Sequence, residues 1–319
     1  MGKIDDIAAA YGTQTIITPF TPVIEDYLRT TVRCGLGWDA AWFYAIVQTK
    51  KGKRYGLTRG YEKASSSNFM SCNMLDDPSE ISPRLFKRMY VGFCFHEKVK
   101  DKDMVIAQSA PSKHHFKVVI EPQRFHWQEE NGEVDLHLTA LGPAMRLFSP
   151  GGKINEETYY TSELCAVTGT VMGEEVSGFG GMDQAWLPHG IAWTQCKTYL
   201  YHESYWLVFA NRYEDETTDY GIVGCGPGGW NLSYYVQNGV PVTSHDNEFR
   251  NTYAEAGYPS ELDIRLGANH FKWTADCRLN EIKGHVQWMS GRMINLGEKK
   301  VPIASYSQFE YRPFGQFQQ

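Results

Sequence analysis

A chain of 319 residues with 42% hydrophobic and 21% charged side chains can bury a sizeable core, which excludes a small stapled fold and wholesale disorder. The net charge of −6, with no basic run longer than Lys50-Lys51-Gly52-Lys53-Arg54, offers no stripe for tracking phosphates, so neither nucleic acid nor an anionic membrane is an expected partner. Aromatic residues reach 14% and there are 30 glycines, a mixture that favours twisted, turn-rich β structure.

At the amino terminus, Met1 to Ile7 carries an early acidic pair and no long apolar stretch, so no signal peptide or membrane insertion is expected and the location is read as cytoplasmic. Asp6 stands where a myristoylation signal needs Ser or Thr. Residues 4–11 are predicted as a short helix and 15–20 as an edge strand or packing arm, giving an N-terminal arm over 1–30. A hairpin follows over 42–49 and 54–59, with its turn at Lys51-Gly52-Lys53. Strand-like runs recur at 89–95, 104–108, 117–120, 125–127 and 134–141, and the one helix candidate between them is 79–85.

The seam Ser149-Pro150-Gly151-Gly152-Lys153 can continue neither helix nor sheet, so the first unit is drawn over 31–152 and the second over 153–319. Further strands are predicted at 162–171, 174–179, 191–201, 205–213, 220–224, 231–237, 261–266, 271–279, 285–288 and 304–311. Many short strands at roughly ten-residue spacing mean a sandwich or barrel rather than βαβ units, and the matching plan of the halves suggests duplication of one barrel.

Gly224-Cys225-Gly226-Pro227-Gly228-Gly229 fits the dinucleotide pattern literally, but the residues after it alternate like a strand, which makes it a hairpin loop. The seven cysteines form no CxxC pair, and no HxH or HExxH occurs among the ten histidines, so reduced thiols, no metal and no cofactor are expected. The densest chemistry lies in Val176 to Trp193, where three glycines are read as a tight turn preceding Asp183, Gln184, Trp186, His189 and Trp193. Tyr199, His202, Trp206 and Asn211 follow on the next strand pair. Polar groups set among aromatic surface suit a small-molecule pocket, where a partly desolvated carboxylate can reach a useful catalytic pKa. An Asp after Gly-Gly also closes turns through backbone hydrogen bonds, and strand indoles ordinarily pack in a core.

The run Gly178-Phe179-Gly180-Gly181-Met182-Asp183-Gln184-Ala185-Trp186, with Gly169 to Gly173 before it and 191–211 after it, resembles the carotenoid hydratase (hydroxyneurosporene synthase-like) family. That family of tandem lipocalin-like barrels includes kievitone hydratase-type enzymes and, more distantly, lipocalin-type Diels–Alderases. A weaker similarity covers Phe125 to Gly132. Asp183 matches the family's motif Asp and Trp186 its Trp, while the motif His falls on Gln184; the acid of water-adding members, on a strand further along, has no counterpart at Phe209-Ala210-Asn211. The resemblance implies an all-β protein of two lipocalin-like antiparallel barrels with an apolar ligand pocket at or near their interface.

The expected function is a cofactor-independent hydratase or dehydratase, isomerase or cyclase of a hydrophobic aromatic or terpenoid metabolite. Asp183 or His189 would move the proton. Gln184, Tyr199, His202 and Asn211 would bind substrate, walled by Trp186, Trp193 and Trp206. The alternative is a carrier with the same pocket and no chemistry, and a homodimer is compatible with either.

Overall fold

The computed structural model describes residues 15–62, 65–73, 80, 84–91, 94–110, 115–129, 132–151, 156–196, 204–226, 230–282 and 286–312. They form two antiparallel sheets, and no helix among them is long and apolar enough to cross a membrane. The first sheet begins with β1 (Ile16–Phe20), β2 (Gly37–Thr49), β3 (Arg54–Glu62), β4 (Ser65–Asn73) and β5 (Arg84–Val91). It continues with β6 (Cys94–Lys98), β7 (Val105–Ser109), β8 (Phe116–Glu121), β9 (Arg124–Glu129), β10 (Val134–Ala140), β11 (Ala144–Ser149), β12 (Thr158–Val171) and β13 (Glu174–Leu187). The second sheet holds β14 (Tyr205–Arg212), β15 (Thr218–Cys225), β16 (Asn231–Gln237), β17 (Val240–Ser244), β18 (Asn247–Tyr253), β19 (Pro259–Leu266), β20 (Asn269–Ile282), β21 (Val286–Asn295) and β22 (Ala304–Tyr311).

The two sheets share one plan. In the first, the order runs β5-β4-β3-β2-β13-β12-β10-β9-β8-β7-β6, with β11 on β12 and β1 on β11; in the second it runs β17-β16-β15-β14-β22-β21-β20-β19-β18. Each time the chain walks outward over four strands, jumps to the far edge and returns until its last strand pairs with its first. This is a barrel-forming arrangement, as the turn-linked strands predict, and it is the lipocalin-like one that the family resemblance implies. The change of sheet falls between Leu187 and Tyr205 rather than at 152/153, because β12 and β13 complete the first sheet by pairing with β10 and β2. The Gly/Pro seam is therefore the link between β11 and β12, where Gly151 takes a left-handed φ of 64°.

Alternation builds each barrel's interior. On β8, Phe116, Val118 and Ile120 are buried while Lys117 and Val119 are half-exposed, and the buried set joins Phe43, Phe125, Trp127 and Leu136 in the first core. The second core is built likewise from Leu207, Phe209, Trp273, Met289 and Phe309. Strands buried on both faces mark the seam between barrels. On β2, Phe43, Ala45 and Val47 point into the first barrel, while Tyr44 and Ile46 point out. Tyr44 and Phe179 meet Val208, Ala210, Tyr220 and Ile222 there. The hydroxyls of Tyr220 and Tyr234 donate to the Pro143 carbonyl at 3.2 and 2.7 Å, and Arg54 pairs with Asp276 at 2.6 Å across the seam.

Several segments depart from the sequence reading. The glycines of 178–181 make no turn; they lie within β13, where a Cβ on Gly178 or Gly180 would collide with the carbonyl oxygens of Ile46 and Tyr44. Gly180→Ala is accordingly expected to cost about 1–3 kcal/mol through overpacking, read as a lowered melting temperature; an unchanged melt would contradict the close approach. Residues 191–196 are no strand but a link containing a 3-10 turn at Trp193–Gln195. The predicted helix at 4–11 lies outside the described residues, and Arg84 and Leu85, assigned to the other helix, are in β5. Gly224 and Cys225 end β15, which pairs antiparallel with β16 from Asn231 onward, so the glycine-rich run leads into a strand instead of a pyrophosphate-binding helix; residues 227–229 lie outside the described residues.

Candidate active site at the seam between barrels

Successive side chains on a strand point to opposite faces, and this splits the expected site. From β13, Met182 and Trp186 enter the first barrel, while Asp183 points out of it toward the second. Asp183 therefore closes no turn. It is buried in mid-strand, opposite Ser162 of β12, whose hydroxyl donates to Oδ1 at 2.5 Å. Burial pushes its carboxyl up to about 7, against the opposing pull of hydrogen bonds from Ser162 and Tyr160 and with a further rise from the charge of Glu310.

Glu310 comes from the other barrel. It lies on β22, opposite Trp206 of β14 and Trp288 of β21; the Trp288 indole N–H donates to Oε1 at 2.6 Å, and the Arg312 guanidinium lies 3.8 Å from Oε2. Aromatic rings pack beside Asp183, beginning with Tyr160, whose side chain hydrogen-bonds the carboxyl. Tyr160 meets Trp206 edge-on, with centroids 5.4 Å apart, and stacks on Trp193 at 6.2 Å. Trp193 in turn lies 4.7 Å from Trp42, its backbone N–H held by Asp39 Oδ2 at 2.9 Å. Of the expected residues, Asp183, Trp193 and Trp206 thus belong to one neighbourhood.

The others go elsewhere. Gln184 faces the first barrel with its amide engaged at both ends: the Trp38 indole N–H donates to Oε1 at 3.3 Å, and Nε2 donates to the Asp26 carbonyl at 3.1 Å. Trp186 is fully buried there, its N–H on the Thr31 carbonyl at 2.9 Å, so it shares no wall with Trp193. Asn211 is buried at the inner face of the second barrel and donates to the Met293 carbonyl at 2.7 Å. His189 is exposed on the turn after β13, apart from the buried Asp183. Tyr199 and His202 lie outside the described residues.

Two acids went unread in the sequence, Glu310 and Glu163. Glu163 neighbours Ser162 on β12 but faces inward, where burial pushes it up to about 7 and the Tyr27 hydroxyl donates to Oε2 at 2.6 Å. Its Oε1 has no hydrogen-bond partner among the described residues, and the cavity it shares with Phe20, Asp26, Tyr27 and Gln184 measures about 10 Å³, room for one water. The signal for both was a lone acid inside an apolar strand, as in Ser162-Glu163-Leu164 and Phe309-Glu310-Tyr311. The one cluster of three metal-type ligands among the described residues lies away from the seam, on the outer face of β9 and β10.

These features define a tandem lipocalin-like barrel protein with a buried acid from each barrel at the seam, close enough for the charge of Glu310 to raise the pKa of Asp183. No family model and no curated protein matches the chain. Among solved structures, it is similar to CghA with Sch210972 at 10% identity over 87% of this chain and 89% of that one, with a TM-score of 0.53. A protein of Nitrosomonas europaea assigned as AttH shares 12% identity over 88% and 95%, with a TM-score of 0.50. Kievitone hydratase from Nectria haematococca shares 11% identity over 91% and 92%, with a TM-score of 0.46. At these identities the likeness is one of fold, and it is the fold implied by the resemblance to carotenoid hydratase-like proteins.

Proposed function

We propose that this protein is a cofactor-independent acid–base enzyme that adds or removes water, isomerises or cyclises a hydrophobic aromatic or terpenoid substrate at the seam. The observation that carries this reading is Asp183: a buried carboxyl held near neutrality at the seam, hydrogen-bonded by Ser162 and Tyr160 and within the electrostatic reach of Glu310 from the other barrel. A group with a pKa near the working pH can both give and take a proton, which is what a general acid or base requires. Asp183 delivers the proton to an alkene carbon or a carbonyl oxygen of the substrate. Glu310, held by Trp288, balances the developing positive charge or accepts the proton that leaves. The faces of Trp193 and Trp206 favour a cationic transition state, since their ring quadrupoles attract positive charge. With the motif His replaced by Gln184 and its amide engaged by Trp38 and Asp26, proton transfer is assigned to Asp183 and Glu310. The fold neighbour CghA, solved with Sch210972, is consistent with a ligand in such a two-barrel frame.

The test is to incubate the protein with prenylated aromatics and polyenes in ¹⁸O-water and in D₂O and read the products by mass spectrometry. Gain of ¹⁸O marks hydration, loss of the elements of water dehydration, and a new retention time without either marks isomerisation or cyclisation, with deuterium uptake on carbon reporting proton delivery by the enzyme; each of these should vanish in Asp183→Asn. A ligand that binds without conversion by either form would establish the carrier reading instead. Binding at the seam should also quench indole fluorescence, with the quench reduced in Trp193→Phe and in Trp206→Phe. Undiminished quenching in both variants would place the ligand elsewhere.

A further inference from the structure

We infer that the outer face of β9 and β10 is a binding site for one late first-row divalent metal ion, of which zinc and copper(II) fit the donors best. His126 of β9 and His137 of β10 stand directly opposite one another in the ladder, and Asp135 lies two residues before His137 on the same face. The two imidazoles stack with centroids 4.2 Å apart and an interplanar angle of 16°, and His126 Nε2 lies 2.6 Å from Asp135 Oδ1. One ligand atom from each of the three lies within 4.8 Å of the others. A tetrahedral zinc site with bonds of about 2.0–2.2 Å holds its donors roughly 3.3–3.5 Å apart, so small side-chain rotations gather these three around an ion.

A His–Asp ion pair alone would need one imidazole. Here a second is stacked on the first beside the same carboxylate, a donor set of two nitrogens and one oxygen that leaves a coordination position open. Two imidazoles with one carboxylate suit zinc and copper and exclude a calcium or magnesium preference, since those ions take oxygen ligands. The side chains are reachable: His137 is exposed and the other two are half-buried. Their backbones are fixed by pairing of β10 with both β9 and β12, which places Gln128 and Thr170 opposite Asp135 and Thr168 opposite His137. The sequence carried only a faint trace, Asp135-Leu136-His137, because the third ligand arrives from the neighbouring strand.

The full chain, stripped with chelator, should bind one equivalent of Zn²⁺ by calorimetry, and Co²⁺ should give the intense visible absorption of a four-coordinate ion. His137→Ala and Asp135→Asn should each weaken Zn²⁺ binding by at least about 10-fold, and His126→Ala/His137→Ala should abolish it. His137→Cys, which keeps a zinc ligand, should retain binding, and this separates loss of a ligand from loss of fold. Absence of Zn²⁺ binding, binding undiminished in the double variant, or a preference for Mg²⁺ or Ca²⁺ would overturn the assignment.

Discussion

Asp183→Asn is expected to lower turnover by about 100- to 10,000-fold while leaving the fold intact, the loss typical of removing a general acid or base. The amide keeps the shape and the bond to Ser162 but cannot titrate. The stability of the same variant carries an independent sign. The carboxyl's pKa is raised in the folded state, so its contribution to stability is fully present below the ordinary Asp range near pH 4 and is lost as pH rises through about 7. Wild type should therefore lose on the order of a few kcal/mol between those limits that Asp183→Asn does not lose. Above pH 7 the inactive variant should be at least as stable as the active protein, which melting curves at pH 4 and pH 8 will read. A variant that is less stable at pH 8 and still active would remove Asp183 from the mechanism.

Glu129→Ala should give the largest loss of stability in the first barrel, about 3–5 kcal/mol in denaturant unfolding. Arg59 of β3 and Glu129 of β9 form an ion pair inside that barrel, with side chains only 3% and 2% exposed, so neither can exchange its partner for water. Arg59 Nε donates to Oε1 at 2.8 Å and a second guanidinium nitrogen pairs with Oε2. The Trp127 indole N–H also donates to Oε1 at 2.7 Å, and the guanidinium carbon lies 4.5 Å from the centre of the Phe116 ring. Removing Glu129 takes the carboxylate partner from a buried cation. Replacing both partners, as in Arg59→Met/Glu129→Leu, removes that penalty and should recover most of the loss. A double variant as unstable as Glu129→Ala would show that the cost lies in packing instead of charge.

Period-two alternation made β8, β9 and β10 legible, because one face of each is dry and the strand must declare it in sequence. The seam strands declared something different, a continuous apolar run, since both of their faces are buried. Gly178, Gly180 and Gly181 were misread because glycine serves equally where a chain turns and where a side chain would meet a neighbouring strand; only the presence of β2 alongside decides. That misreading moved Asp183 into a loop and placed Gln184, Trp186 and Trp193 around one pocket. With the segment restored to a strand, alternation itself assigns Asp183 to the seam and Gln184 and Trp186 to the interior. Glu310 was beyond reach for another reason. It lies 127 residues from Asp183 in sequence, and the two are brought near each other by packing of the barrels, which no local pattern encodes.

The ionisation of Asp183 is the most direct measure of the whole reading. In protein carrying ¹³C-labelled aspartate, with the signal assigned by its disappearance in Asp183→Asn, the side-chain carboxyl resonance should titrate with a midpoint near pH 7. A midpoint near the ordinary value of about 4 would contradict it, because a fully ionised Asp183 at neutral pH has no proton to deliver at the seam.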